Sequence, residues 1–218
     1  MSPAMDPKHH WERVYTARPA DAMSWHQPTA ERSVAMIRRV APELGTPIID
    51  VGGGASVLVD ELLASGYECL TVLDLAASAL DAARARLGTL ATRVRWLEAD
   101  VLTAALPSNG YGVWHDRAVF HFLTAPADRA AYVRQVKRAV RPAGFMLVAT
   151  FAEDGPERCS GLAVARYSAE ALHREFGGDF EPLGSERDAH RTPDGAVQPF
   201  VYCLFRSRDR PGAGGGPG

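Results

Sequence analysis

Residues 47–56 read Pro-Ile-Ile-Asp-Val-Gly-Gly-Gly-Ala-Ser, and they hold the residues with the clearest chemical use. Glycines such as Gly52, Gly53 and Gly54 permit a tight turn, and without Cβ atoms they let a ligand lie against the backbone. The apolar residues that follow have helical character, and a helix would point its free N–H groups and positive dipole end at that ligand. The pattern predicts a strand, a binding loop and a helix.

Two common ligand sites do not fit this loop. A dinucleotide site uses Gly-x-Gly-x-x-Gly, and the third glycine counted from Gly52 would fall at Val57. A phosphate-binding P-loop ends in Gly-Lys-Ser/Thr, and this stretch has no lysine. The remaining match is Asp-x-Gly-x-Gly, carried by Asp50, Gly52 and Gly54, with a turn that binds no ligand as the alternative.

Four aspartates follow four predicted strands in succession: Asp50, Asp74, Asp100 and Asp116. Ligands of open α/β sheets bind beyond the carboxyl ends of the strands. One aspartate after a strand is usually a helix cap or part of a solvated turn. Four at corresponding positions predict a ligand site along this edge of the sheet.

The elements that must position these residues follow from hydrophobic periodicity and from glycine and proline breaks. Strands are predicted at residues 47–50, 69–73, 94–98, 111–114, 145–151, 180–187 and 197–206. Helices are predicted at 11–17, 30–40 with Thr29 as its cap, 56–64, 76–87, 126–140, and in a segment capped by Ser168. The first five strands alternate with helices, and the last two form a hairpin, so an α/β fold with an open, mostly parallel sheet is expected.

Composition excludes several other classes. The chain has 218 residues, a formal net charge of −2 and scattered basic residues, so no nucleic-acid surface is expected. Its three cysteines, Cys69, Cys159 and Cys203, form no close pair, which opposes a disulfide framework and a metal site; Cys69 and Cys203 are expected in the core. No signal peptide or membrane-spanning run is visible. A cytoplasmic monomer or weak dimer without a membrane partner is the expectation.

Residues 48–151 resemble the core of class I S-adenosylmethionine-dependent methyltransferases, although Ser56 stands where that family commonly has glycine. Trp11-x-x-x-Tyr15, Ser24-Trp25 and Gly54-Ala55-Ser56 resemble a methyltransferase-like group. That group includes bacterial proteins of unassigned substrate and eukaryotic protein-lysine methyltransferases, such as the enzyme acting on citrate synthase. The resemblance implies a Rossmann-like seven-stranded sheet, parallel with one antiparallel C-terminal strand and with helices on both faces. It divides the chain into an N-terminal helical lid segment (1–42), a core (43–206) and a disordered Gly/Pro-rich tail (207–218).

This resemblance assigns S-adenosylmethionine as cofactor, with S-adenosylhomocysteine as product, and gives each residue a role. Asp74 would accept from both ribose hydroxyls, Asp100 from the adenine amino group, and Asp50 from the cofactor's ammonium. Leu75 and Val101 would sandwich the adenine. The other expected cofactor-binding residues are Trp11, Tyr15, Trp25, Gly52, Gly53, Gly54 and Asp116; simple packing of the three aromatic residues on the core is the alternative.

The sequence indicates less clearly which residues would bind or activate the methyl acceptor. His115, Asp116 and His121 follow predicted strand four and are the candidate catalytic residues, since histidine titrates near neutrality and Asp116 could hold an amine. His121 could instead lie on a buried face between Phe120 and Phe122. Lysine methyltransferases of this type tend to carry Asp-Lys-Gly-Thr and a second acidic residue, whereas this chain has Asp116-Arg117-Ala118-Val119-Phe120-His121. Cys159, in a long loop, could meet a thiol acceptor or be incidental.

A methyltransferase acting on a small molecule is therefore the leading hypothesis. Protein-lysine methylation, a cofactor-binding domain without catalysis, and an NAD oxidoreductase are the alternatives; Val57 and the C-terminal hairpin oppose the last.

Overall fold

A central sheet with helices on both sides organises the computed structural model, which describes residues 6–208. The strands are β1 (Ile48–Val51), β2 (Leu70–Asp74), β3 (Val94–Glu98), β4 (Tyr111–Arg117), β5 (Val140–Phe151), β6 (Arg158–Cys159), β7 (Leu162–Ala163), β8 (Phe180–Arg191) and β9 (Val197–Ser207). The α-helices are α1 (Pro7–Ala17), α2 (Glu31–Val40), α3 (Leu58–Ala64), α4 (Ala77–Leu87), α5 (Pro126–Ala139) and α6 (Ala169–Phe176).

Seven strands form one sheet in the order β3-β2-β1-β4-β5-β9-β8, and β6 pairs with β7 in a separate small hairpin. Neighbours from β3 through β5 are parallel, whereas β9 runs antiparallel to both β5 and β8. The expected α/β fold, with one antiparallel strand near the C-terminus, is confirmed.

The pleat of β4 divides its side chains between two cores, because successive side chains of a strand point to opposite faces. Trp114 packs with the residues of α5 and α6 on one face, while Val113 packs with α2 and α3 on the other. Both cores are dominated by fully buried apolar residues. The sheet is therefore held from both sides and presents its carboxyl edge as a fixed platform.

Several predicted boundaries were wrong in ways that bear on the site. Strand β4 continues through His115 and Asp116 to Arg117, so these residues are strand residues and do not belong to a loop after it. Strand β8 likewise extends to Arg191. Cys69 precedes β2 and is exposed, which contradicts its expected place in the core.

Two helices are capped at their N-termini in different ways, one by a neighbouring residue and the other by a residue distant in sequence. The Ser168 hydroxyl accepts from the Ala171 N–H at 3.1 Å, as expected for a helix cap. The predicted cap Thr29 is wrong: α2 begins after Ala30, whose N–H donates to the Glu61 carboxylate at 2.7 Å. A remote carboxylate on α3 takes the place of a local hydroxyl.

The predicted tail reaches into residues 209–218, which lie outside the described residues, as do residues 1–5. Between residues 6 and 208 none of the helices combines the length and apolar character that crossing a membrane requires.

Candidate active site

A cavity of about 270 Å³ opens beyond the carboxyl ends of β1, β2 and β4. This is the edge where ligands of open α/β sheets bind. Eight of the predicted cofactor-binding residues line it: Trp11, Tyr15, Trp25, Gly52, Asp74, Leu75, Asp100 and Val101. The structure therefore brings together residues from five separate segments of the chain.

The glycine loop borders this cavity through Gly52, whereas Gly53 and Gly54 are not among its lining residues. Gly52 has φ +68°, a conformation that favours glycine, and a Cβ there would overlap the Val119 side chain. At Gly54 a Cβ would overlap Ala79 and a carboxylate oxygen of Asp74. The loop thus needs glycine for two different reasons, backbone conformation at one position and close approach at the other.

Asp74 joins the end of β2 to the glycine loop. Its carboxylate accepts from the Gly54 N–H at 3.0 Å and from the Ala76 N–H at 2.9 Å. Burial raises the pKa of Asp74 to about 6, opposed by these backbone hydrogen bonds. A carboxylate has four lone-pair sites, so acceptor capacity remains for a ligand that donates two hydroxyl hydrogens.

Asp100 lies at the rim of the same cavity, between the half-buried Leu75 and the buried Val101. One Asp100 oxygen accepts from the Leu102 N–H at 2.8 Å, which holds the turn after β3. Leu75 and Val101 line the cavity with apolar surface, as an aromatic base would require. The arrangement leaves the second oxygen of Asp100 for a polar edge of that base.

Asp50 lies beneath the glycine loop and pairs with His115 on the neighbouring strand. Oδ1 of Asp50 is 2.7 Å from Nδ1 of His115, whose Nε2 is 2.9 Å from the Ser33 hydroxyl on α2. Because a carboxylate only accepts, Nδ1 donates to Asp50. Oδ2 of Asp50 is buried and has no hydrogen-bond partner within residues 6–208. This oxygen is therefore available to a donor from a bound molecule.

A smaller pocket of about 50 Å³ adjoins the glycine loop. Asp50, Gly53 and His115 line it, together with Tyr15 and Arg117. His115 thus borders this pocket, and its ring is buried and engaged at both nitrogens.

Helix α1 covers the cavity with aromatic side chains. The Trp11 ring lies 5.0 Å from Phe122 and 5.8 Å from Trp25, and Tyr15 lies 6.0 Å from Trp25, measured between ring centroids. Edge-to-face arrangements of this kind stabilise aromatic clusters. Helix α1 and Trp25 therefore cover one side of the cavity; their role as a lid stays a prediction.

Glu12 attaches α1 to the start of α4. Its carboxylate accepts from the Ala77 N–H at 2.6 Å and the Ser78 N–H at 3.3 Å, which caps α4. Lys8 adds an exposed ion pair with Glu98 at 2.5 Å. Sequence reasoning missed Glu12, because its partner lies 65 residues away and no local signal marks it.

Asp116 lies away from the cavity, which contradicts its expected contact with ligand. Its carboxylate accepts from the Tyr132 hydroxyl at 2.5 Å and from the Val119 and Phe120 N–H groups at 2.9 and 3.1 Å. Tyr132 in turn accepts from the Trp114 indole at 2.8 Å. The residue is fully buried, and burial raises its pKa to about 6. Because β4 continues through it, Asp116 faces α5 and braces the turn that follows.

His121 is likewise fully buried, contrary to its expected role as a base. Its ring packs 4.5 Å from Phe122 and 4.7 Å from Phe151, and burial lowers its pKa to about 3. Nδ1 accepts from the Phe151 N–H at 3.4 Å. The alternative interpretation, a residue on a buried aromatic face, matches this placement.

The lining of the cavity also includes Arg117, Val119 and Phe122, residues to which sequence reasoning gave no ligand role although they lie among the candidates His115, Asp116 and His121. The only signal for Arg117 was its place beside Asp116. Cys159, for which two interpretations stayed open, also lines the cavity from the small hairpin, whose Ser160-Gly161 turn has φ +51° and +79°. Burial raises the pKa of the Cys159 thiol, so the thiol form prevails near neutrality.

Residues 48–144 match the family model of a methyltransferase domain. An uncharacterized methyltransferase of Mycobacterium bovis is 31% identical over 118 residues, which are 54% of this chain and 56% of the relative. Uncharacterized methyltransferases of Mycobacterium tuberculosis match to the same extent. The chain spans about half the length of the curated relatives it matches.

Solved structures share the fold over nearly the whole chain. A SAM-dependent methyltransferase from Anabaena variabilis superposes with a TM-score of 0.72 at 16% identity, covering 95% of this chain and 98% of the other. The 1,6-didemethyltoxoflavin N1-methyltransferase of Burkholderia thailandensis, solved with 1,6-didemethyltoxoflavin and S-adenosylhomocysteine, gives 0.68 at 19% identity, covering 96% and 93%. The fold is thus the one seen in SAM-dependent methyltransferases.

Proposed function

We propose that this protein is an S-adenosylmethionine-dependent methyltransferase that acts on a small molecule. The observation that carries the proposal is the Asp74 carboxylate bound to the Gly54 N–H at the floor of the cavity, with Asp100 at its rim. Two carboxylates and a glycine cradle suit a nucleoside that donates hydroxyl and amino hydrogens and carries no phosphate. The match of residues 48–144 to a methyltransferase domain supports the same proposal.

The residues of the cavity fit the parts of this cofactor. Asp74 would hold the ribose hydroxyls, Leu75 and Val101 the adenine faces, and Asp100 the adenine edge. The unpartnered Oδ2 of Asp50, beneath the glycine loop, would accept from the ammonium of the methionine part. When bound, S-adenosylmethionine supplies a methyl group on a sulfonium, which is electrophilic without further activation.

The contribution of the protein is then orientation and exclusion of water. Trp11, Trp25 and Phe122 cover the cavity with apolar surface. Neither Asp116 nor His121 reaches the cavity, so these residues are no longer proposed as an acid or a base. His115 is proposed to orient Asp50 through the 2.7 Å contact.

A small acceptor is favoured because the lid leaves a restricted space. The cavity, which the cofactor itself would occupy, measures about 270 Å³, and α1 covers one side of it, so a folded protein would have little access to the reacting methyl group. A structural relative binds the small molecule 1,6-didemethyltoxoflavin, as the Burkholderia structure shows for that enzyme.

Calorimetric titration of the purified protein with S-adenosylhomocysteine, and separately with NADH, tests the cofactor. Binding of the first alone is expected in the wild type. Asp74→Ala should weaken this binding by at least about a hundredfold, since two charge-assisted hydrogen bonds are lost. Unchanged affinity in Asp74→Ala, or binding of NADH, would overturn the proposed site.

Turnover separates catalysis from binding. With radiolabelled cofactor, we expect label in the small-molecule fraction of a cell extract rather than in its protein fraction. Label transferred to protein would favour protein methylation, and binding without any transfer would favour a cofactor-binding domain that lacks catalysis.

A further inference from the structure

Arg117 carries a half-buried positive charge at the end of β4, and no carboxylate within residues 6–208 forms an ion pair with it. Other arginines near the sheet are paired, as Arg32 is with Glu186 at 2.6 Å and Arg129 with Glu175 at 3.0 Å. A guanidinium removed from water without an anion is unfavourable. The missing partner therefore points to a bound molecule.

Two hydrogen bonds hold the Arg117 guanidinium in place. Nε donates to the Tyr202 hydroxyl at 2.9 Å, and Nη1 donates to the Trp25 carbonyl at 2.9 Å. The group also lies over the Phe200 ring, 4.5 Å from its centroid. Nη2 is buried and has no hydrogen-bond partner among the described residues. Two hydrogen bonds and one ring contact thus fix the guanidinium, and its remaining N–H groups are left for a ligand.

Arg117 lies at the junction of two pockets in this cleft. Arg117 lines both the 270 Å³ cavity and the 50 Å³ pocket beside the glycine loop. The next residue, Ala118, has φ +72° and also lines the cavity. Such a backbone conformation is strained for alanine and is typical of functional sites. The turn thereby fixes the point at which the arginine side chain leaves the sheet.

The charge of Arg117 acts on two neighbouring histidines, and at His190 the charge of Asp188 opposes it. After burial, its proximity is the next cause that lowers the pKa of both His121 and His190. Adding a second cation here would be unfavourable, whereas an anion would be attracted. A planar carboxylate is the anion that a fixed guanidinium fork binds best.

We propose that Arg117 binds a carboxylate group of a ligand in this cleft, borne either by the methyl acceptor or by the methionine part of the cofactor. The inference rests on the proposed function and extends it, because the first source would make the acceptor an organic acid. Arg117 would then determine specificity and need not take part in proton transfer.

Binding measurements with Arg117→Gln and Arg117→Lys distinguish the two sources. Wild type and variants are titrated with S-adenosylhomocysteine and with 5′-methylthioadenosine, which lacks the amino-acid part. The protein saturated with S-adenosylhomocysteine is then titrated with acetate, benzoate and indole-3-acetate, and with the neutral amide of each. Arg187→Gln is the matched control, since Arg187 is exposed and pairs with Asp154 on the surface.

A cofactor carboxylate predicts that Arg117→Gln weakens S-adenosylhomocysteine about tenfold or more and leaves 5′-methylthioadenosine unchanged. An acceptor carboxylate predicts unchanged affinity for both nucleosides. In that case at least one acid should bind the wild type in preference to its amide, and this preference should be lost in the variants. The proposal is overturned if both nucleosides keep their affinity and no acid is preferred to its amide.

Two controls keep these outcomes separate from other failures. If neither nucleoside binds the wild type, the proposed function itself fails, independently of Arg117. If Arg117→Gln does not fold, Arg117→Lys retains the charge while losing the fork, and Tyr202→Phe removes only the Nε anchor. A purely structural role would lower the melting temperature without changing the selectivity between acid and amide.

Discussion

Asp74 and Asp116 occupy corresponding places in the sheet, one at the end of β2 and the other near the end of β4. Both are buried, and burial raises the pKa of each to about 6. Yet Asp74 lines the cavity and holds the glycine loop, whereas Asp116 faces α5 and binds Tyr132. A carboxylate at a strand end can therefore bind a ligand or stabilise the fold. The face of the sheet on which its side chain lies decides between the two roles.

The same difference separates the two halves of the cleft. One half is built from the glycine loop and the ends of β1, β2 and β3, in which each residue acts close to its own strand end. The other half combines Trp25, Arg117 and Cys159, which come from distant segments. Variants in the two halves should therefore fail in different ways.

The largest effect is expected for Gly54→Ala. The added methyl group would overlap Ala79 and the Asp74 carboxylate, so both the loop and the ligand cradle are displaced. We expect a loss of at least about 2 kcal/mol in the free energy of unfolding, and S-adenosylhomocysteine binding below detection. Calorimetry and denaturant unfolding measure both. Gly45→Ala is the control, since a Cβ there meets nothing within 4 Å; equal behaviour of the two variants would contradict the close packing of the loop.

Asp116→Asn tests whether Asp116 stabilises the fold without contacting the ligand. An amide in place of this carboxylate sets a donor against Tyr132, Val119 or Phe120, leaving a buried polar group unsatisfied. We expect a loss of about 2 kcal/mol in the free energy of unfolding, with affinity for S-adenosylhomocysteine changed by less than about twofold. Tyr132→Phe should behave similarly. A large loss of affinity at unchanged stability would instead place Asp116 at the ligand.

The pH dependence of S-adenosylhomocysteine binding should show whether Asp74 contacts the ligand. Because burial raises the pKa of Asp74 to about 6, this group becomes neutral as the pH falls through that value and then accepts hydrogen bonds poorly. Affinity for S-adenosylhomocysteine should therefore fall about tenfold between about pH 7.5 and pH 5, where roughly a tenth of the group stays ionised. Titrations across this range measure it. In Asp74→Asn the profile should be flat, and a flat wild-type profile would refute the assignment.

A smaller effect is expected at the lid. Glu12→Ala removes the cap of α4 and the attachment of α1. The lost capping is worth about 1 kcal/mol. We therefore expect S-adenosylhomocysteine to dissociate several times faster from this variant. Stopped-flow fluorescence of the lid tryptophans would measure the rate. Lys8→Ala removes only an exposed ion pair, and its rate should change less than twofold. Equal rates for Glu12→Ala and the wild type would mean that α1 does not control ligand exit.

Much of this molecule was accessible from local patterns. The spacing Asp50, Gly52 and Gly54 predicted the strand, loop and helix, because conformation at glycine and the apolar run are local properties. The four aspartates after successive strands located the ligand edge, since parallel strands end at one edge of the sheet. Aromatic residues at Trp11, Tyr15 and Trp25 marked the covering segment.

Other features depend on pairings between remote segments. The carboxylates of Glu12 and Glu61 cap helices that begin 65 and 31 residues away, counted to Ala77 and Ala30. Nothing in the local sequence distinguishes such a carboxylate from a solvated one. The sequence near Arg117 likewise does not show that this residue lacks an ion-pair partner among residues 6–208, because that depends on where the fold places the acidic residues.

By itself the sequence determined the order of strands and helices, the glycine loop and the edge at which ligands bind, since these follow from periodicity and from backbone conformation. Only the tertiary structure decided which aspartates face the cavity, that His121 is buried, and that Arg117 enters the cleft. The physical reason is the pleat: continuing β4 by three residues assigns Asp116 to one face of the sheet and His115 and Arg117 to the other.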